Sequence, residues 1–209
     1  MATKKKDFIE LDFTGKIKES GIIFDTTISE DAKKIGAEDA KSLKLCIGEG
    51  MVVKGFDEAL EGKEIGKAYS IDIEPKKAFG PRDPSLIKII PISNFHEKQI
   101  NPYPGQILNI DNVLARISSV SGGRVITDFN LPLAGKTINY EFRIKKILES
   151  AEDKLKALGE FFLGNIKSVS LEGKKAILSI EGEIKNEKPF KEKAKSLLDI
   201  EVELKQTGK

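Results

Sequence analysis

Aromatic and aliphatic residues recur at strand ends and turns in the first part of this sequence, and they are its best candidates for chemistry. They fall in five short motifs between residues 13 and 80: Phe13-Thr-Gly15, Phe24-Asp25, Ile47-Gly-Glu-Gly50, Val52-Val53-Lys-Gly-Phe56-Asp-Glu-Ala59-Leu60 and Ala78-Phe79-Gly80. Residues of these types can build an apolar site that acts on a bound molecule by environment and conformation, without a covalent intermediate. Any one of the aromatic residues, taken alone, is better explained as ordinary core.

Covalent, metal-dependent and nucleotide-dependent chemistry find little support elsewhere in the sequence. His96 is the only histidine and has no second ligand at a suitable spacing, so we expect a solvated loop residue rather than a metal ligand or the base of a hydrolytic triad. Cys46 lies in an apolar run, where a small core residue is the usual role. Gly48-Glu-Gly50 lacks the third glycine and the Lys-Ser/Thr ending of phosphate loops. We therefore expect neither a metal nor a cofactor.

Composition sets the general class of the protein. The 209 residues include 35 Lys and Arg against 33 Asp and Glu, with 39% hydrophobic and 33% charged residues. This is typical of a folded globular protein, and the near balance of charge argues against a dedicated nucleic-acid binder. We find no apolar run of the roughly 18 residues that a membrane helix needs, and no signal peptide. With Cys46 as the only cysteine, the sequence predicts a cytoplasmic protein without an internal disulfide or membrane contact.

Alternation of apolar and polar residues predicts short strands around the five motifs. These strands are expected near residues 9–13, 22–24, 43–47 and 69–73. Residues 54–61 place Phe56, Ala59 and Leu60 on one face and predict the one short helix of this region, which Gly62 would end. The segment 76–84 contains two prolines and a glycine and reads as a loop.

The pattern changes after this loop and again near residue 150. Residues 84–129 contain short apolar runs separated by turns and predict a small all-β unit, after which a long strand follows from 138 to 144. Ser150-Ala-Glu-Asp153 resembles a helix N-cap, and residues 151–209 then alternate between helical and strand patterns. We therefore expect an α+β protein of three parts: residues 1–83 with 130–150, an inserted domain at 84–129, and a C-terminal α+β domain at 151–209.

The five motifs, in this order and spacing, resemble the FKBP-type peptidyl-prolyl cis/trans isomerases. Single motifs such as Phe-Asp are weak, but five in order across one region are specific. The segment Val125-Ile-Thr-Asp-Phe-Asn-Leu-Pro-Leu-Ala-Gly135 and the strand after it are similar to the SlyD-like branch, in which a domain inserted in the flap captures unfolded chains. With its third part, residues 151–209, the chain resembles archaeal long forms of this family. The resemblance covers residues 7–148, and it implies an FKBP-like antiparallel sheet wrapped on a short helix.

The resemblance also implies the roles of individual residues. Asp25 would act electrostatically on the twisting amide, the backbone N–H of Val53 would hold a substrate carbonyl, and Phe56 would form the pocket floor. The walls and lining would come from further apolar residues: Phe13, Phe24, Leu43, Val52, Phe79, Leu133 and Tyr140. In the insert, Ile89 and Ile90 could fill a small β core or bind an extended client chain, and the resemblance favours client binding.

Four positions depart from the family pattern, among them Leu131, where the SlyD-like branch usually has histidine. Many relatives have tryptophan where Phe56 stands, and this chain has no tryptophan. Relatives often carry tyrosine at the positions of Phe13 and Phe79, and losing a hydrogen bond of that kind typically costs about 0.5–1.5 kcal/mol. We still expect an active enzyme, but these departures leave open its affinity for the macrolide inhibitors of the family.

Two other classes of function stay open at the level of sequence. One is a non-catalytic holdase, or peptide-binding module, whose pocket has lost turnover. The other is a ribosome- or RNA-associated factor, which would need a concentrated basic face. Retention of Phe24, Asp25, Val53 and Phe56 favours the enzyme. The expected partners are unfolded or nascent polypeptides containing proline, together with a second copy of the chain if residues 151–209 form a homodimer.

Overall fold

The computed structural model describes residues 2–37 and 40–207. These described residues form twelve β-strands and five α-helices. The strands are β1 (Phe8–Ile17), β2 (Ile23–Thr26), β3 (Leu43–Cys46), β4 (Ala68–Ile73), β5 (Ile87–Pro91), β6 (Ile107–Ile110), β7 (Val113–Ser121), β8 (Arg124–Asp128), β9 (Ile138–Ile147), β10 (Ile166–Glu172), β11 (Lys175–Glu181) and β12 (Glu201–Thr207). The helices are α1 (Ser29–Lys34), α2 (Lys54–Leu60), α3 (Ile92–Glu97), α4 (Ala151–Leu163) and α5 (Glu187–Leu198). Within the described part of the chain, no helix is both long and apolar enough to cross a bilayer.

The chain divides into two compact units, which are described separately. The first unit comprises residues up to 78 and from 137 onward, and the second comprises residues 79–136. The three-part division expected from the sequence stays a prediction, and its outer ends at residues 1 and 209 lie outside the described residues. Residues 151–207 belong to the first unit because their helices share a hydrophobic core with its strands.

The first unit is built on a five-stranded antiparallel sheet. Its strand order is β2-β1-β9-β4, and β3 pairs with the start of β1. β1 and β9 are both ten residues long and form the centre of the sheet; most residues of β1 and alternate residues of β9 are buried. Helix α2 buries Phe56 and Leu60, and the Phe56 ring contacts aromatic rings of β1 and β9. The expected α+β class and the sheet wrapped on a short helix are confirmed.

The C-terminal elements form a second layer within the first unit. β10, β11 and β12 make a three-stranded sheet in which β11 and β12 are parallel, and α4 and α5 supply its core. Ser150 caps α4 as expected, because its Oγ accepts a hydrogen bond from Asp153 N at 3.0 Å. The same core includes Phe8 of β1, Cys46 of β3 and Leu148, which follows β9 directly.

The second unit is a four-stranded antiparallel sheet in the order β5-β8-β7-β6. Phe95 of α3 packs against one face of this sheet, where it forms a buried cluster with Ile117 of β7 and Val125 of β8. Gly135 N donates a hydrogen bond to Gly80 O at 2.8 Å, which joins the two ends of the unit. β5 is an edge strand, paired on one side with β8.

Two short helices correct the expectations from the sequence. We expected one helix before residue 84, but α1 follows β2 as a second; its six residues have no apolar face, and only Ala32 is buried. Residues 84–129 were expected to form an all-β unit, but Ile92 and Phe95 lie on the helix α3, which follows the end of β5 at Pro91. His96 is therefore an exposed helical residue and not a loop residue.

Candidate active site

Three adjacent strands bring Asp25, Gly15 and Tyr140 into one row. The register pairs Gly15 of β1 with Asp25 of β2 on one side and with Tyr140 of β9 on the other. Because directly paired residues project from the same face of a sheet, Asp25 and Tyr140 share the face that α2 covers in part. The first unit thus joins two residues that lie more than a hundred positions apart in the sequence.

Phe24 reaches the same face because β2 is irregular at this point. Asp25 pairs with Gly15 but Ile23 pairs with Lys16, so Phe24 is an extra residue on the bulged strand. The Phe24 ring lies over Gly15, where an added Cβ would approach its Cζ to 2.6 Å. The ring also meets Tyr140 edge-on, with 6.0 Å between centroids. The absence of a side chain at Gly15 therefore makes room for Phe24.

Aromatic rings cluster at the site. Phe56 stacks on Tyr140 with 4.2 Å between centroids and nearly parallel planes, and Phe13 lies 5.7 Å from Phe56 and 5.8 Å from Tyr140. Phe142 meets the edge of Phe56 at 5.2 Å. Phe56 is only 1% exposed and Tyr140 stacks on its ring, so the role of Phe56 as a pocket floor stays a prediction. The result is a dry aromatic cluster beside the Asp25 carboxylate.

Burial affects the two polar groups of this surface. Asp25 is exposed to solvent, but the apolar walls remove part of the hydration of its carboxylate and raise its pKa above the ordinary value. A hydrogen bond from the Thr26 backbone partly opposes that rise. The pKa of the Tyr140 hydroxyl is also raised, first by burial and then by the negative charge of Asp25. Tyr140 therefore keeps its proton at physiological pH.

Threonines fix the strand that carries Phe24 and Asp25. Phe13 N donates to Thr27 Oγ1 at 2.7 Å, and the Thr26 hydroxyl donates to Phe13 O at 3.1 Å. On the buried side, the Thr14 hydroxyl contacts Thr26 Oγ1 and donates to Asp31 Oδ2, both at 2.9 Å. Hydrogen bonds from Lys34 and Thr14 hold the pKa of Asp31 below its usual range. Asp31 of α1 thus helps to anchor the hairpin behind the site.

Asp57 organises the turn that precedes α2. Its buried carboxylate accepts hydrogen bonds from Gly48 N at 2.7 Å and Gly50 N at 3.0 Å. Both glycines have positive φ, which explains why this turn contains two of them. Across the turn, Glu49 forms an ion pair with Lys193 of α5. The turn is therefore held from inside by α2 and from outside by the C-terminal layer.

The valines that follow this turn are half-buried. Val53 is the N-cap of α2, and its carbonyl accepts hydrogen bonds from Phe56 N and Asp57 N. Within residues 2–37 and 40–207, the Val53 amide has no acceptor. Val52 lines a groove of about 430 Å³ together with Lys5, Ile47, Gly48, Gly50, Lys54, Asp57, Glu58 and Glu61. The assignment of Val52 to the substrate pocket stays a prediction.

The other expected site residues lie in different places. Leu43 is half-buried on β3. Phe79 and Leu133 belong to the second unit, so their roles stay predictions. Ile89 is 64% exposed on β5, whereas Ile90 packs against the core of that unit. Of the two isoleucines, only Ile89 presents its side chain to solvent.

Two residues of the site were not identified from the sequence. Phe142 lies two positions after Tyr140 on β9, so its place on the same face was available from strand periodicity. Asp57 gave no such signal, because an aspartate in the first turn of a helix is common and its hydrogen bonds depend on tertiary structure.

Comparison with known proteins gives the family. A family model described as FKBP-type peptidyl-prolyl cis-trans isomerase matches residues 1–96, and one described as FKBP26, IF domain, matches residues 88–133. A short-type peptidyl-prolyl cis-trans isomerase of Methanocaldococcus jannaschii is 30% identical over 148 residues, which cover 69% of this chain and 93% of that relative. SlyD of Helicobacter pylori is 29% identical over 119 residues, covering 55% of this chain and 64% of SlyD.

The sheet, the aromatic site and these matches define one class of protein. The chain belongs to the FKBP-type peptidyl-prolyl cis/trans isomerases, enzymes that need no cofactor. The resemblance found in the five motifs is confirmed, including the SlyD-like insert in the flap.

Filling the space above Gly15 is expected to damage the site more than the fold. Gly15 has ordinary strand geometry, so Gly15→Ala adds only a methyl group, which would displace the Phe24 ring. Overpacking of this kind costs about 1–3 kcal/mol of stability. Misplacing a site residue by a fraction of an ångström should lower kcat/KM roughly tenfold. Gly159→Ala is the control, since its Cβ would clash with Ile166 beside α4 and should lower stability alone. Equal kcat/KM losses in the two variants would contradict this account.

Proposed function

We propose that this isomerase acts on X-Pro bonds of unfolded and partly folded proteins, and that its second unit holds those proteins. The observation that carries the catalytic part is the row of Asp25, Gly15 and Tyr140 beside the Phe56 ring. The holding part is supported by exposed aliphatic residues on the second unit.

An apolar site can accelerate this reaction without bonding to the substrate. The planar X-Pro amide is stabilised by resonance, and the barrier to its rotation is about 18–20 kcal/mol. Rotation removes the resonance, so the twisted amide is less dipolar than either planar form. A dry aromatic floor therefore favours the twisted form relative to water. This requires no nucleophile and no proton transfer.

Three groups would act on the bound amide. The Asp25 carboxylate would face the carbonyl carbon, which becomes more electrophilic as its conjugation with nitrogen is lost. The Val53 amide would donate a hydrogen bond to a carbonyl of the substrate chain. The proline ring would lie beside the stacked rings of Phe56 and Tyr140. Phe24 and Tyr140 would wall this ring and exclude water from it.

The second unit offers a surface for unfolded chains. One face of its sheet, here called the open face, includes these outward positions of β5 to β8: Ile87, Ile89, Ile107, Leu114, Arg116, Arg124, Ile126 and Asp128. Leu114 is 68% exposed and Ile107 is 64% exposed. Isolated exposed aliphatic residues are common, but several on one face are typical of a binding surface. The edge strand β5 could also pair with an extended chain.

Removing the insert should separate the two activities. Asp83 N donates to Asn130 Oδ1 at 2.8 Å, and Asn130 Nδ2 donates to Asp83 O at 3.0 Å, so residues 83 and 130 can be joined after deletion of 84–129. Protease-coupled assays of a short Xaa-Pro peptide should give similar kcat/KM for the full and shortened chains. Refolding of a protein limited by proline isomerisation should be accelerated at least tenfold less by the shortened chain, because client binding raises the effective concentration of the substrate.

A variant of the full chain controls for damage caused by the deletion. Ile89→Ser with Leu114→Ser removes two exposed side chains and should leave the fold intact. It should lose refolding activity while keeping turnover of the short peptide. Equal losses in both assays would refute the division of labour, and no turnover of any peptide by the full chain would leave a non-catalytic holdase.

A further inference from the structure

The open face combines aliphatic residues with arginines. Ile89 pairs across strands with Ile126, and Ile107 pairs with Arg116. Arg116 pairs in turn with Asp128, two positions after Ile126 on β8, so all these side chains project from the same side of the sheet. Arg124 lies two positions before Ile126 on β8 and shares that side. α3 packs on the opposite side through Phe95. A chain crossing the open face would therefore meet aliphatic groups and guanidinium groups together.

The two arginines are not engaged by the protein itself. Among the residues that the structure describes, neither Arg116 nor Arg124 forms an ion pair or a side-chain hydrogen bond. Asp128 stands across from Arg116, but its carboxylate pairs with Arg82 at 2.5 Å. An unpaired guanidinium beside apolar surface is well suited to bind a carboxylate, which it can contact through two parallel hydrogen bonds.

The second unit as a whole carries a net positive charge, the same sign as Arg116 and Arg124. Residues 79–136 include six basic and four acidic side chains, so the formal excess of +2 in the whole chain falls within this segment. Asp83 is occupied as a cap, since its Oδ1 accepts from Ser85 N at 2.8 Å. Glu97 lies on α3, which packs against the covered face. On the open face itself the Asp128 carboxylate is paired with Arg82, and Arg116 and Arg124 remain, so the face is cationic as well as apolar.

Resting on the client binding proposed above, we propose that the open face selects unfolded segments in which aliphatic residues are flanked by aspartate or glutamate. The aliphatic residues of the client would cover Ile89, Ile126, Ile107 and Leu114, and its carboxylates would bind Arg116 and Arg124. Segments flanked by lysine or arginine would be disfavoured by like-charge repulsion.

The composition of the face favours a polypeptide over a nucleic acid. Single-stranded nucleic acids bind through phosphate contacts combined with stacking of bases on aromatic rings. The open face includes arginines but no aromatic residue at any of its strand positions in the described chain. Four exposed aliphatic residues would remain unused by a phosphate backbone.

The test uses the full chain and three fluorescent peptides without proline, so that the isomerase site is not a competing site. The peptides share one central run of leucine, isoleucine and valine and differ only in two flanking residues at each end, which are glutamate, glutamine or lysine. Fluorescence anisotropy at low ionic strength should give Kd values in the order glutamate, glutamine, lysine, with about tenfold between the extremes. The difference should shrink in 0.5 M salt, where charges are screened beyond a few ångströms.

Charge variants assign this preference to the open face. Arg116→Gln with Arg124→Gln should bring the three Kd values within about twofold of one another. Lys98→Gln is the matched control, because Lys98 is the C-cap of α3 and does not belong to the open face, and it should keep the full difference.

The possible failures are distinguishable. If the glutamine-flanked peptide binds but the flanking residues make no difference, the charge selectivity is wrong and the proposed client binding stands. If none of the peptides binds while the short Xaa-Pro peptide is still turned over, the client binding itself is wrong. Tighter binding of the lysine-flanked peptide, or retention of the preference in the arginine double variant, would also overturn the selectivity.

Discussion

Replacing Asp25 by alanine is expected to lower kcat/KM for a short Xaa-Pro peptide by about tenfold to a hundredfold. Interactions that involve a charged group are worth about 1.5–3 kcal/mol, which corresponds to that range of rates. The expected loss is large because the carboxylate borders apolar walls that remove part of its hydration. A protease-coupled assay at low substrate concentration measures kcat/KM directly.

The stability of the Asp25→Ala variant should change little. Asp25 is exposed, and no ion pair within the described residues depends on it. Glu19→Ala is the matched control, since Glu19 is an exposed carboxylate in the turn of the same hairpin and should leave kcat/KM unchanged. Asp25→Asn keeps the shape and removes the charge, so it should resemble alanine. Full activity in Asp25→Asn would mean that the carboxylate contributes shape and not charge.

The pH dependence of kcat/KM gives an independent test of the role of the Asp25 charge. Burial raises the pKa of Asp25, so its charged form is lost at a higher pH than that of an ordinary aspartate. If the charged form is the active one, kcat/KM falls as pH decreases through this raised pKa. The Asp25→Asn variant should lack that decline. A decline that persists in the variant would have to come from another group.

Regular elements of the fold were predictable from the sequence because their patterns are local. The alternation in β1 and β9, the single apolar face of α2 and the Ser150 cap of α4 each follow from residues close together in the chain. α1 and α3 were missed because each has six residues and one buried side chain, which is too short for a helical period to be visible.

The site was predictable only in part. The residue types at Phe24, Asp25 and Phe56 indicated it through their resemblance to a family, but the position of Phe24 depends on a bulge in β2 that no sequence pattern specifies. The hydrogen bonds from Gly48 and Gly50 to Asp57 depend on how the turn folds back on α2. Likewise, the apolar faces of α4 and α5 were visible in the sequence, but not which surface they would cover.

Deleting residues 151–209 is expected to destabilise the rest of the first unit severely. Phe8, Cys46 and Leu148 are at most 3% exposed and belong to the core that α4 and α5 complete. Full burial of a large apolar side chain contributes about 1.5–3 kcal/mol, so exposing these three should cost roughly 5 kcal/mol. That is a large share of the 5–15 kcal/mol that stabilises a typical domain.

Urea unfolding of chain 1–150, followed by circular dichroism, should show a midpoint far below that of the full chain.

If the shortened chain loses stability because these apolar side chains become exposed, polar replacements at the same positions should make the shortened chain more soluble. Phe8→Thr with Leu148→Lys in chain 1–150 should reduce aggregation and dye binding to exposed apolar surface, because both side chains lie where α4 and α5 have been removed.

The same two replacements in the full chain should have the opposite effect. There they would put a hydroxyl and a charge into a closed core, where unpaired polar groups are costly. Benefit in the shortened chain and harm in the full chain together would establish that the C-terminal layer is part of the core of the isomerase domain. Unchanged stability after truncation would instead make residues 151–209 an independent domain, as their sequence had suggested. In that case the Glu49–Lys193 ion pair would be the surface contact of two separately stable parts, and it would contribute little to the turn before α2.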